Sequence, residues 1–185
     1  MKKILLFVAG VLFLQMGFSQ ELSGVVKVEG KSADKLFDFS REWFALKFQS
    51  SKDEVKLADD AARVFIVKGE RREPVVIKRV TVKMKMSFIL RLEFKDGRYK
   101  YEFKDVDYRN AITNQSNNIE TFNECSTVEG LEAYYKRNGI PKFLEGKKED
   151  IAAANAKNYE VLKAMPQDII DDLTRFLKQK KNDNW

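Results

Sequence analysis

Across residues 80–94 every even position is apolar: Val80, Val82, Met84, Met86, Phe88, Leu90, Leu92 and Phe94. The odd positions are polar or charged, with Ile89 the one exception. Side chains alternate faces along a strand, so this period of two predicts a β-strand with one buried and one wet face. Asp96-Gly97 follows, a pair that accepts positive φ and predicts a two-residue hairpin loop. Lys95 then faces Arg98 and Phe94 faces Tyr99, and the register runs on through Leu92–Tyr101 and Leu90–Phe103. The other face sets Glu93 opposite Lys100 and Arg91 opposite Glu102, two pairs of opposite charge. Both faces agree on one alignment. Burying each large apolar side chain contributes about 1.5–3 kcal/mol, so the ribbon supplies on the order of 20 kcal/mol gross, most of it offset by chain entropy. A run of this length is long for one strand, which predicts a bulge or bend near residues 85–87.

The 185 residues suffice for one domain with a real core. Residues 1–19 stand apart from it. Lys2 and Lys3 precede an apolar run over residues 4–18, and Gly17 and Ser19 supply small residues before a cleavage point, the pattern of a secretory signal peptide. The run is short for a membrane span, so a retained anchor is the lesser alternative. The mature chain would begin near Gln20 without a transmembrane segment, and losing Lys2 and Lys3 takes the formal charge from +6 to +4. That mild excess is no nucleic-acid signature. Cys125 is the single cysteine, so no intrachain disulfide can form, and no cysteine follows the signal segment to carry a lipid. An exported domain without disulfides fits the periplasm or envelope of a Gram-negative bacterium better than a eukaryotic extracellular space. The glycosylation sequon Asn114-Gln115-Ser116 would matter only outside that placement.

In chain order, residues 22–29 read as a first strand, and Ser32 is placed to cap a helix over residues 33–48 whose apolar arc includes Leu36, Phe37, Trp43 and Phe44. That arc is too wide for one sheet face to cover. Residues 49–60 read as a polar connection, with a turn or short strand at 55–57, and residues 63–68 as a second strand. Residues 69–74 read as a charged turn leading to the ribbon. Residues 20–108 thus form one α+β domain with an antiparallel sheet of four or five strands, and residues 109–125 a polar linker. Residues 126–181 form a helical segment packing on the domain: a short helix with a Ser126/Glu129 capping box, an alanine-rich helix over 147–165, and a last helix opening at Pro166.

Several segments carry a family resemblance: Lys35-Leu36-Phe37 leading to Glu42-Trp43-Phe44, the connection with Ser50-Ser51-Lys52-Asp53 and Asp59-Asp60, Val67-Lys68-Gly69, and above all residues 93–101. Together they cover about residues 22–108. In these the chain resembles an uncharacterised domain with a TATA-box-binding-protein-like fold, found in exported proteins of Gram-negative bacteria. The resemblance implies a curved antiparallel sheet in the order β-α-β-β-β, with helices on one face. It implies no activity, and the fold name does not carry DNA binding with it.

The residues themselves exclude much chemistry. There is no histidine, which removes the usual general base and the commonest metal ligand. Gly30-Lys31-Ser32 lies between strand and helix, but a phosphate loop needs glycine where Val25 stands, and Ser32 as helix cap accounts for it. Carboxylate clusters occur at Asp59-Asp60, Asp105/Asp107 and Asp168/Asp171/Asp172, and the last reads as helix first-turn acids. Met84 and Met86 continue the inward stripe, and Cys125 in the polar linker reads as an incidental thiol. No catalytic, metal-binding or cofactor-binding residue is assigned, and no cofactor is expected.

The outward positions Arg79, Lys83, Lys85, Arg91, Arg98, Lys100 and Lys104 make the sheet's other face basic. An ordinary solvated face explains such a pattern. As a site it would bind anions, with Arg79, Lys83, Lys85 and Arg91 as its candidate residues. The expected function is a non-enzymatic envelope module that binds a protein partner or an anionic surface ligand, not nucleic acid. A hydrolase using paired carboxylates is the alternative, and an accessory to a partner encoded beside it a third reading.

Overall fold

The computed structural model describes residues 22–49, 53–77, 80–140 and 147–180; the signal-like residues 1–19 and Arg79 lie outside them. The alternating ribbon folds as its pattern dictates. In chain order the elements are β1 (Ser23–Lys27), α1 (Ala33–Lys47), β2 (Glu54–Asp59), β3 (Val64–Ile77), β4 (Val80–Lys95), β5 (Arg98–Asn110), α2 (Ile119–Glu124), α3 (Val128–Arg137) and α4 (Lys148–Gln179). β4 and β5 turn at Asp96-Gly97, with Gly97 at φ +71°. Lys95 faces Arg98, Leu92 faces Tyr101 and Glu93 faces Lys100, the register the residues require. The expected bulge lies between Ser87 and Ile89, with the extra residue on β5. There Asp105 takes a φ of +52°.

All pairings are antiparallel and the sheet runs β1-β5-β4-β3-β2. α1 therefore carries the chain from one edge strand to the other across a single face. Ser32 caps its start, accepting a hydrogen bond from the Lys35 amide at 3.3 Å. The Asp96 carboxylate accepts another from the Ala33 amide at 2.8 Å, so the hairpin turn also fixes where the helix begins. Leu36, Phe37, Trp43 and Phe44 of α1 share one core with Phe65, Met84, Met86, Phe88, Leu90 and Leu92 of the sheet and with Leu162, Met165, Ile169, Ile170 and Leu173 of α4. α4 is the second cover that the wide apolar arc of α1 demanded.

Four expectations need correction. Residues 69–74 are strand, not turn: β3 runs unbroken from Val64 to Ile77. Gly69 is there for closeness, since a Cβ would lie 2.7 Å from the Phe88 ring. The charges that suggested a turn simply alternate faces, Arg71 bonding Glu73 at 2.9 Å on the helix side. The stretch at 55–57, expected as a turn or short strand, is strand: it belongs to β2, which brings the sheet to five strands. The polar stretch 109–125 contains α2, capped by Asn118. Its neighbour α3 is capped by Thr127, one residue beyond the expected Ser126.

Finally, α4 is one helix through Pro166 rather than two. A proline there lacks the N–H that would bond the carbonyl of Leu162. That carbonyl instead accepts a hydrogen bond from the Tyr108 hydroxyl at 3.1 Å. The sheet replaces the missing helical bond, and burial raises the phenol to about 12. Among the described residues no helix is long and apolar enough to cross a membrane.

Candidate functional site

The helices cover one face of the sheet, and strand alternation puts a second set of side chains on the other. Here the register assembles neighbours that are far apart in sequence. Arg72 faces Lys85, which faces Arg109; Glu70 faces Ser87, which faces Asp107. Residues 111–117 fold back over this end: Asn114 accepts a hydrogen bond from the Lys85 ammonium at 3.4 Å, and the Ser116 hydroxyl donates to Asp107 at 3.1 Å.

Of the four candidate residues, two are thereby engaged. Lys85 is only 7% exposed and lies 3.3 Å from the Glu70 carboxylate, so it is part of a buried ion pair rather than a presented cation. Arg91 bonds Glu93 at 2.7 Å along its own strand, not Glu102 across it. Lys83 is exposed without an ion pair among the described residues, and Arg79 lies outside them. Glu102 takes Lys104 at 3.2 Å, and Asp107 takes Arg109.

What this pairing leaves over gathers at the hairpin end. Lys27 of β1 faces Arg98 of β5, which faces Lys95 of β4. All three are exposed, and Lys100 stands one rung further on, over the exposed Val25. None of the four carries an ion pair among the described residues. Like charges directly opposite one another in a sheet destabilise it. Glu93 is the nearest compensating group: its hydrogen bond from Arg91 and the charges of Arg91, Lys100 and Lys95 outweigh burial and hold its pKa below the ordinary carboxylate value. The Lys95–Arg98 pair follows from the hairpin register. Lys27 does not, because β1 pairs with β5 across seventy residues of chain and no local pattern announces it.

The other candidate chemistries dissolve into structure. Met84 and Met86 are fully buried core residues. Cys125 is buried, and its thiol is pushed up chiefly by burial, with the charge of Glu124 adding to it. Asp172 accepts a hydrogen bond from the Trp43 indole at 2.9 Å and pairs with Lys47 at 3.3 Å. Burial pushes its pKa up, but those hydrogen bonds and the charges of Lys47 and Arg175 outweigh it and hold it low. No group of His, Cys, Asp and Glu among the described residues is placed to hold a metal.

An open groove of about 680 Å³ lies between the C-terminal end of α1, the middle of α4 and β3. Its lining mixes signs: Arg71 and Lys47 stand beside Glu73, Asp168 and Asp172, over Trp43 and Ile169.

A crystal structure of a DUF4468 family protein from Bacteroides ovatus matches with a TM-score of 0.56 at 11% identity, over 88% of this chain and 88% of that one. The likeness is one of fold. A TBP-like protein from Parabacteroides distasonis aligns over 82% of this chain and 90% of its own, with a TM-score of 0.46 and 16% identity. No curated protein matches significantly. The family model described as a domain of unknown function (DUF4468) with TBP-like fold matches residues 23–109, which take in α1 and the five strands up to Arg109, and over that domain the chain is similar to this family.

Proposed function

We infer that the protein is an exported, non-enzymatic module of the cell envelope whose open sheet face binds an anionic surface ligand. The observation that carries this reading is the row Lys27, Arg98 and Lys95, with Lys100 beside it, none of which has an ion pair among the described residues. A fold that places like charges on adjacent strands without a partner gains stability when an anion joins them. Export rests on the charged start, apolar run and small residues of positions 1–19. The non-enzymatic part rests on where the carboxylates go. In the Asp168/Asp171/Asp172 cluster, burial pushes Asp172 up, but the Trp43 indole and the charges of Lys47 and Arg175 outweigh it and hold Asp172 low, the direction opposite to that of a general acid.

Binding of the mature chain, residues 20–185, to dextran sulfate tests the reading. Affinity is expected to fall at least about tenfold between about 0.05 and about 0.2 M salt. The exposed double variant Lys95→Glu/Arg98→Glu is expected to abolish most of it. Salt-independent binding, or binding that survives the double variant, contradicts the reading. Preference for an acidic protein over the polysaccharide would move the ligand class, not the face.

A further inference from the structure

Among the described residues the sheet edge at β3 is closed at two points and open between them. β2 pairs with β3 only as far as Glu54–Lys68. One step beyond, the Asp53 carboxylate accepts a hydrogen bond from the Glu70 amide at 3.0 Å. At the far end the side-chain amide of Asn158, 3% exposed, acts as a one-residue strand. Its oxygen accepts from the Val76 amide at 3.0 Å and its nitrogen donates to the Val76 carbonyl at 2.7 Å. In an antiparallel ladder, alternate residues turn both backbone groups to the same side. The β3–β4 register is unbroken, so Arg72 and Pro74 turn theirs outward as Glu70 and Val76 do. Pro74 has no N–H to leave bare, which suits a free edge. The N–H and C=O of Arg72 remain, and among the described residues nothing bonds them.

This gap opens into the mixed-charge groove. Four consecutive residues, Glu70 to Glu73, line it. Side chains that alternate faces cannot all point into one cavity, so the groove runs along the strand's backbone edge. Its other walls are Trp43 of α1 and Asp168 and Ile169 of α4. An added strand occupies about 3.3 Å of length, 4.8 Å of width and 10 Å of depth per residue, about 160 Å³. The groove volume of about 680 Å³ therefore holds about four residues of extended chain.

We propose that this groove binds an extended peptide segment of a partner protein, which adds as a short strand to β3 and pairs its backbone with Arg72. Charge complementarity fixes the segment's character. A residue pointing to the helices meets Asp168 and Asp171, of which Asp171 accepts only from Gln167 among the described residues, at 2.8 Å, and Asp168 lies 4.0 Å from Arg71. A residue pointing the other way meets the exposed Arg72, whose partner Glu70 is already shared with Lys85. The segment thus carries a lysine or arginine on one side and an acid on the other. This site is separate from the cationic row at the hairpin end, and either can fail alone.

The test is selection from a displayed library of random linear heptapeptides, followed by amide hydrogen exchange of the full mature chain with a selected peptide added. In the free protein the Arg72 amide is expected to exchange at least tenfold faster than those of Glu70 and Val76. Selected peptides should slow it at least tenfold and carry a basic residue. Arg72→Pro, which removes the edge N–H together with the guanidinium, should weaken binding at least tenfold relative to Arg72→Ala, which removes the guanidinium alone, while Arg72→Lys keeps it; Trp43 fluorescence reports that the variants fold. Failure to select any peptide, selected peptides that leave Arg72 exchange unchanged, or equal binding by Arg72→Pro and Arg72→Ala would overturn the proposal.

Discussion

Pro166 and Tyr108 form a pair that neither residue explains alone. The proline withholds an N–H from the Leu162 carbonyl and the phenol supplies a donor from the sheet. Tyr108→Phe should therefore lower unfolding free energy by about 1–3 kcal/mol, the penalty of a buried unpaired carbonyl. In a Pro166→Ala background the new amide can take that carbonyl, and the same change should fall below about 1 kcal/mol. Urea unfolding of the four proteins gives the cycle, and strict additivity would refute the pairing. Trp43 and Asp172 make a similar clasp between α1 and α4. Asp172 is held below its ordinary value of 3.8, so its contribution is present above that pH and is lost as pH falls through the folded value. Trp43→Phe removes a hydrogen bond to a half-buried charge. It should cost about 1–2 kcal/mol at neutral pH through that bond, over a pH-independent packing loss. The two are separable because only the first disappears in acid: the variant's stability should decline less steeply than the parent's below about pH 4.

At the scale of elements, legibility followed sequence distance. The β4–β5 hairpin was readable to the residue because its register, turn and charge pairing are local and repeat one message. α1 was readable from Ser32 and its apolar arc. β3 was readable only over its start, Val64–Lys68, because Gly69 and Pro74 are turn residues by habit, and only the Phe88 ring and a free edge explain them in a strand. The two-helix reading at Pro166 failed for the same reason, since the Tyr108 donor lies more than fifty residues away. The anion row was half legible: Lys95 and Arg98 belong to the hairpin, Lys27 to a pairing that only the fold reveals. Of the four residues first assigned to that face, Lys85 and Arg91 are drawn into ion pairs with acids on their own and neighbouring strands. Asn158, on α4, was invisible as an edge cap. Asn158→Ala should leave Val76 bare, destabilise by about 1–3 kcal/mol, and speed Val76 amide exchange. The uncapped edge should also promote self-association in sedimentation velocity. Unchanged Val76 exchange would show that the cap is idle.

The whole molecule divides its labour between two faces. One is consumed by the core that α1 and α4 complete, and the other stays open, pairs its acids internally, and keeps a row of cations unspent at the hairpin. The family match and the shared fold place this architecture among TBP-like domains without supplying an activity. The function must therefore be sought on the surfaces that packing does not use. The most direct measurement is a chemical-shift map of the mature chain titrated with dextran sulfate. The largest shifts should fall on Lys27, Lys95, Arg98 and Lys100, and salt should reverse them together. Shifts centred on α1 and α4, or none at all, would contradict binding at the open face.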